Sequence, residues 1–201
     1  MDRNPDQVYP VREDTLLLLE AALAEARPSD RVLELGTGSG FIARHLAGRV
    51  SLIVATDVNP HACRAAAAPS VRVVRADLAA GIRGKFDLVL FNPPYLPTRP
   101  GERLDDWLEK ALDGGESGRD VIARLVPDLS RILAPGGRLL IVISDLTGPG
   151  EVLALLGEAG FPSRICRRVR IEGEELMVIR AVGPPDEPPG EGMLPEREDP
   201  L

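Results

Sequence analysis

Several things are scarce in this 201-residue chain, and each scarcity excludes a class of protein. It has two cysteines, Cys63 and Cys166, too widely separated for a metal-ligand spacing and too few for a disulfide framework. That usage suits a reducing compartment, so a cytoplasmic location is expected. No apolar run approaches the ~20 residues of a membrane span. The start, MDRNPDQ, is polar and partly acidic, unlike the basic-then-apolar opening of a signal peptide. An excess of positive charge is missing too. Of the net −7, residues 183–201 contribute −5 through six acids against the single base Arg197, leaving −2 for residues 1–182. A nearly neutral body offers no broad nucleic-acid footprint.

With 44% hydrophobic and 27% charged residues, the composition is that of an ordinary globular protein and excludes collagen-like, coiled-coil and wholly disordered chains. The length fits one domain by the rough prior of one per ~150 residues. The stretch GPPDEPPGEGMLPEREDPL has six prolines and little apolar content. It cannot bury enough surface to offset its ordering entropy. One domain over 1–182 and a disordered acidic tail over 183–201 are therefore expected.

Along the body, strand and helix patterns alternate. Leu16, Leu19, Leu23 and Ala26 recur at helical spacing, which predicts a helix over 14–26. Residues 31–35 (RVLEL) read as a strand, followed by the glycine-rich turn Gly36–Gly40 and a helix over FIARHLA. Residues 52–56 (LIVAT) form a second strand, and Asn59-Pro60 opens a helix, with Asn at the N-cap and Pro in the first helical position. Residues 71–75 (VRVVR) and 86–91 (FDLVLF) are the third and fourth strands. Val121, Ile122, Leu125, Leu129 and Ile132 mark a long helix that Pro127 must kink or break. Pro135-Gly136-Gly137 ends that helix, RLLIVI (138–143) is a fifth strand, and a helix over 151–158 precedes two closing strands at 163–171 and 175–182. Apolar strands separated by amphipathic helices predict a parallel sheet covered on both faces. The tight turn at Glu172-Gly173-Glu174 makes the last pair antiparallel. The expected α/β fold is thus a seven-stranded, mostly parallel sheet with one antiparallel strand, with Gly36–Gly40, Asp57, Asp77 and Asn92 at its carboxyl edge, where such sheets bind ligands.

The turn Glu34-Leu35-Gly36-Thr37-Gly38-Ser39-Gly40 departs from the dinucleotide fingerprint G-x-G-x-x-G, because Phe41 stands where the third glycine belongs. Gly36 and Gly38 let backbone approach a ligand closely. The first strand aims a carboxylate, Glu34, into the turn, which suits a cationic amino group better than a pyrophosphate. Asp57 closes the second strand, where its two oxygens can accept both hydroxyls of a ribose. Asp77 follows the third strand and can accept from an exocyclic adenine amine, while the Leu78 N–H donates to a ring nitrogen. Together these acids describe a nucleoside with a zwitterionic tail, S-adenosylmethionine, which would leave as S-adenosylhomocysteine.

The most specific signal is Asn92-Pro93-Pro94-Tyr95, directly after the fourth strand. A planar NH2 group is a poor nucleophile because its lone pair is delocalised. To be methylated it must be held with that lone pair aimed at the donor methyl. The Asn92 side-chain carbonyl and the Pro93 backbone carbonyl can each accept one N–H. The prolines stiffen the loop, and Tyr95 can pack on the planar group.

These motifs, in this order and spacing, resemble the class I S-adenosylmethionine-dependent methyltransferases acting on planar amino nitrogens, a Rossmann-like fold. More narrowly, they resemble the HemK/PrmC-like protein glutamine N5-methyltransferases, over about residues 8–182. The resemblance implies methylation of the Gly-Gly-Gln glutamine of a class I peptide-chain release factor. Val8-Tyr9…Glu13-Asp14-Thr15 is similar to the Y-x-P-x-E-D-T opening of the archaeal and eukaryotic branch, with Pro10 one place earlier than in that pattern. In the family this segment covers the cofactor, so Thr15 carries over as a methionine-end contact. Leu112-Asp113-Gly114-Gly115 with Gly118-Arg119 is similar to the family's glycine-rich segment. The branch also implies a small zinc-binding activator subunit, and the apolar edge strand near 71–75 is the expected place for it. The alternative is N6 methylation of adenine in RNA or DNA, since NPPY-type loops serve such bases too. The charge balance and the absence of a spare recognition domain count against nucleic acid as a direct substrate.

Other residues read as structural. His45 and His61 sit in helix patterns, and the two cysteines read as semi-buried. Trp107 lies in the long segment 96–116, a candidate lid whose charges Arg99, Arg103, Asp105 and Asp106 could touch a protein substrate.

Overall fold

The computed structural model describes residues 7–98 and 106–185. Arg99, Arg103, Asp105 and the tail from Asp186 onward lie outside the described residues. Runs of β-branched and large apolar residues bounded by turn formers give seven strands. They are β1 (Arg31–Leu35), β2 (Leu52–Asp57), β3 (Arg72–Arg75), β4 (Phe86–Phe91), β5 (Leu133–Ser144), β6 (Ser163–Ile171) and β7 (Glu174–Val182). Among them lie α1 (Glu13–Glu25), α2 (Phe41–Leu46), α3 (Pro60–Ala66), α4 (Trp107–Lys110), α5 (Asp120–Leu125), α6 (Leu129–Ile132) and α7 (Pro149–Glu158).

One sheet holds all seven strands in the order β3-β2-β1-β4-β5-β7-β6. Strands β1 to β5 are mutually parallel, and β7 runs antiparallel to both β5 and β6. The period-2 alternation of side chains gives the sheet two separate cores. Leu33, Leu35, Val89, Phe91, Leu139 and Ile141 pack on one face under α5, α6 and α7. Val32, Leu88, Leu90, Leu140 and Val142 pack on the other under α1 and α2. Helices thus cover both faces, as the alternating pattern requires.

Three local expectations change. Helix α1 forms where the sequence places it, but rotated: Leu19 is buried as expected, whereas Leu16 and Leu23 are exposed and Asp14, Leu17, Leu18, Ala21 and Ala22 are buried. The run of four leucines at 16–19 lets several faces look apolar, and the sheet selects one. Pro135-Gly136-Gly137 does not merely end a helix. It bulges within β5, whose register against β4 steps from Phe86↔Leu133 to Leu88↔Arg138. Val71 precedes β3 and pairs in an isolated bridge with Ala68. At Pro127 the break occurs as expected: α5 stops at Leu125, a 3-10 turn spans Val126–Asp128, and α6 resumes at Leu129.

Candidate active site

From β1 the chain winds outward to β2 and β3, and from β4 it winds the other way to β5. Adjacent strand ends therefore diverge between β1 and β4, and open α/β sheets bind ligands in the crevice so formed. A cleft lies there, and its wall contains Thr15, Glu34, Gly36, Gly38, Asp57, Asp77, Leu78, Asn92, Pro93 and Tyr95. All ten residues singled out in the sequence thus share one cleft.

One half is built from the ends of β1, β2 and β3. Glu34 is buried, and the Thr37 hydroxyl donates to its Oε2 at 2.9 Å. Loss of water pushes its carboxyl up to about 8 in spite of that bond. A carboxyl in this state gains most from a cation. Asp57 is fixed at both oxygens: Gly38 N donates to Oδ2 at 2.8 Å and Asn59 N to Oδ1 at 2.9 Å. Burial raises its carboxyl, and these backbone donors pull the other way. Each oxygen keeps a lone pair for a further donor.

The glycines divide by role. A Cβ on Gly36 or Gly38 would meet nothing closer than 3.9 Å, so both leave room at the cleft. A Cβ on Gly40 would stand 2.5 Å from Ala66 Cα, so this glycine serves the packing of the turn against the end of α3. Leu78 is the one non-glycine at positive φ among the described residues (φ 51°). The Thr56 hydroxyl donates to its carbonyl at 2.9 Å and helps hold that conformation, which costs of order 1–3 kcal/mol and collects at ligand sites. Asp77 is tied at 2.5 Å to Arg124, and both side chains are more than half exposed.

The other half is the loop after β4. Asn92 Oδ1 is buried and accepts no hydrogen bond. The glycine-rich segment buttresses this loop. Leu96 bridges Asp113, Gly114 N donates to Leu96 O at 2.9 Å, and Thr98 N donates to Gly115 O at 2.9 Å. A Cβ on Gly118 would meet Tyr95 O at 2.5 Å, so only glycine allows this approach. The Arg119 guanidinium donates to Thr147 O at 2.6 Å, and the Thr147 hydroxyl donates to Tyr95 O at 3.4 Å. Trp107 and Lys110 of α4 also line the cleft, and Asp106 caps that helix by accepting from Glu109 N.

Four contacts were not foreseen. The Tyr9 and Tyr95 hydroxyls both donate to Asp14 Oδ2, at 3.0 and 3.3 Å. Burial and the nearby Asp14 carboxylate hold both phenols well above their ordinary range. Thr37 on Glu34 and Arg124 on Asp77 are the other two. Asp14 shares the buried face of α1 with Leu17 and Leu18, a face that the four consecutive leucines do not reveal in the sequence. Elsewhere His45 is exposed, and Cys63 and Cys166 are free and partly buried. Among the described residues, no group of His, Cys, Asp and Glu could hold a metal ion, and no helix is long and apolar enough to cross a membrane.

Known proteins with these features are methyltransferases. The methyltransferase small domain model matches residues 11–105. A Methanocaldococcus jannaschii protein assigned as an N5-glutamine methyltransferase is 39% identical over 87% of this chain and 91% of its own length. The Homo sapiens methyltransferase HEMK2 is 34% identical over 86% of this chain and 88% of its own. Among solved structures, the E. cuniculi Mtq2-Trm112 complex, responsible for methylation of the eRF1 translation termination factor, matches with a TM-score of 0.73. Its identity is 34%, over 88% of this chain and 99% of that chain. With the cleft, the acids at successive strand ends and the Asn-Pro-Pro-Tyr loop on one sheet edge, this chain belongs to the HemK-like protein glutamine N5-methyltransferases, within the class I S-adenosylmethionine-dependent methyltransferases.

Proposed function

We propose that the chain methylates the side-chain amide nitrogen of a protein glutamine, that of the Gly-Gly-Gln motif of a class I peptide-chain release factor. The observation that carries this reading is the stiff loop at the end of β4, with a buried Asn92 acceptor that lacks a donor. An unmet buried acceptor costs about 1–3 kcal/mol, which an arriving N–H recovers. Such a slot suits a planar NH2 group.

The residues present fit S-adenosylmethionine, which when bound supplies an electrophilic sulfonium methyl. Glu34, buried and short of a cation, receives the amino group, and Thr15 lies beside it at the methionine end. Asp57, aimed by two backbone N–H groups, accepts the ribose hydroxyls. Asp77 and the Leu78 N–H take the adenine edge. Asn92 Oδ1 and the Pro93 carbonyl each accept one N–H of the target amide, and Tyr95 walls its slot. That holds the nitrogen in line for attack. Good orientation alone can supply roughly 7–11 kcal/mol of a barrier, so no strong base is needed at the start. The amide nitrogen would take the methyl as the S–CH3 bond breaks with its electron pair staying on sulfur, S-adenosylhomocysteine would leave, and the nitrogen would release one proton to water.

A small zinc-binding activator subunit on β3 is part of the proposal. Among the described residues this strand pairs only with β2, and its own Val74 and the Val58 that follows β2 are exposed. An apolar edge left open invites pairing, and the Mtq2 relative was solved with Trm112. The cytoplasm is the matching site of action.

The test is incubation with labelled S-adenosylmethionine, a release factor and structured RNA, with and without the candidate subunit, and then mapping by mass spectrometry. Label on the Gly-Gly-Gln glutamine, lost when that glutamine is replaced, is the expected result. Label on RNA adenine would install the alternative. Full activity and solubility of the chain alone would remove the activator from the proposal.

A further inference from the structure

Asp14 is buried at the start of α1, in the wall of the cleft. Its Oδ2 accepts from the Tyr9 and Tyr95 hydroxyls, and its Oδ1 from the backbone N–H and hydroxyl of Thr15. Its donors thus come from three separate pieces of chain: the segment ahead of α1, the first turn of α1, and the loop after β4.

The segment ahead of α1 behaves as a strap across the glycine turn. At one end Asn59 Nδ2 donates to Gln7 O at 2.7 Å, beside Asp57. In the middle the Tyr9 carbonyl lies 3.9 Å from where a Gly38 Cβ would stand. At the other end Tyr9 Oη meets Asp14 at 3.0 Å. The same carboxylate oxygen holds Tyr95, on the far side of the cleft. Hydrogen bonds to an ionised acceptor are roughly twice as strong as neutral ones, and two donors converging on one oxygen each depend on where the other sits.

We infer that Asp14 is a positioning residue that couples the strap over Gly38 to the Tyr95 wall, so that the target slot is complete only when the strap is seated. The inference rests on the reading of Tyr95 as the slot wall. Its consequence is order: the cofactor, which the strap covers, binds first and prepares the slot for the protein substrate. A purely structural Asp14, one that favours only the N-terminus of α1, would have no such effect.

The experiment is a mutant cycle with two readouts. Tyr9→Phe and Tyr95→Phe each remove one of the two hydroxyls that meet at Asp14 Oδ2. Each is expected to lower kcat/KM for a glutamine peptide roughly tenfold, the scale of one hydrogen bond to a charged group. Together they are expected to cost less than the product of the two, and in the Asp14→Ala background neither is expected to add a further loss. Asp14→Asn, which keeps the shape without the charge, is expected to fall between wild type and Asp14→Ala. Independently of any substrate, Tyr95→Phe is expected to speed hydrogen exchange at the amides of 8, 9, 11 and 12 several-fold. Multiplicative kinetic effects together with unchanged exchange in the strap would overturn the coupling, even if Asp14→Ala failed to fold. A wild type that labels no glutamine would sink the glutamine reading alone, since the exchange readout still decides the coupling.

Discussion

Charge is buried at both edges of the sheet, and the two edges treat it differently. At the amino-terminal edge, Arg138 and Asp30 are both buried and meet at 2.6 Å. Arg138 also donates to Glu25 O at 2.8 Å and lies 3.4 Å from Glu25 Oε2, and Arg180 Nε donates to Glu25 Oε1 at 2.8 Å. Every charge there has a countercharge, and the cluster ties the end of α1 to β5 and β7. At the carboxyl edge, Glu34 has a threonine hydroxyl in place of a cation, Asn92 Oδ1 has no donor, and Leu78 holds a positive φ. The first edge balances its charges within the fold, leaving only Arg138 Nε without a hydrogen-bond acceptor among its described groups, and it stabilises the fold. The second is left incomplete by the fold, and a ligand completes it.

That contrast can be broken from either side. The largest effect is expected at the closed edge. Asp30→Ala leaves the buried Arg138 short of its nearest countercharge and is expected to cost about 3–5 kcal/mol of stability, read by urea denaturation, with turnover of the folded protein unchanged. A comparable loss of turnover would mean that the edges are not separate. At the open edge, Asn92→Ala is expected to lower turnover at least ~100-fold, the scale of removing one positioned transition-state group, with cofactor affinity nearly intact by calorimetry. Lost affinity with normal turnover would contradict its role.

Glu34→Gln sharpens the comparison through pH. Its carboxyl, ordinarily near 4.5, is pushed by burial up to about 8 in the fold. Between those values the folded state keeps a proton that the unfolded state has lost. Stability of the ligand-free protein is therefore expected to fall as pH rises through that window. Glu34→Gln is expected to remove the fall while weakening cofactor binding by about 10–100-fold, the scale of a charged hydrogen bond. Melting curves from pH 4 to 9 with cofactor titration check both; a variant with an unchanged pH slope would show that Glu34 has another partner. Gly40→Ala is the mildest. Its Cβ would press on Ala66 at positive φ, so a stability loss of about 1–3 kcal/mol is expected, with the cofactor's affinity in the remaining folded protein retained.

Much of the site was legible because its residues sit at strand ends, and a strand end is marked locally by an apolar run meeting a glycine, an acid or a proline. Glu34, Asp57, Asp77 and Asn92 follow that rule, and the topology brings their strands side by side. Asp14 was not legible as a site residue because its partners, Tyr9 and Tyr95, lie five residues before it and 81 after it. The Arg124 partner of Asp77 was hidden for the same reason. The buried face of α1 was misjudged because four consecutive leucines carry no phase.

Local chemistry in the sequence determined the order of strands and helices, the break at Pro127, the turn that needs Gly36 and Gly38, and the identity of the groups offered to a nucleoside and an amide. These are properties of short windows, governed by periodicity, dihedral preference and side-chain type. Tertiary structure alone decided which face of α1 is buried, that Gly40 serves packing, that the glycine-rich segment braces the loop after β4, and that one aspartate gathers two distant tyrosines. Those outcomes depend on contacts between residues far apart in the chain, and such contacts exist only once the sheet has brought them together.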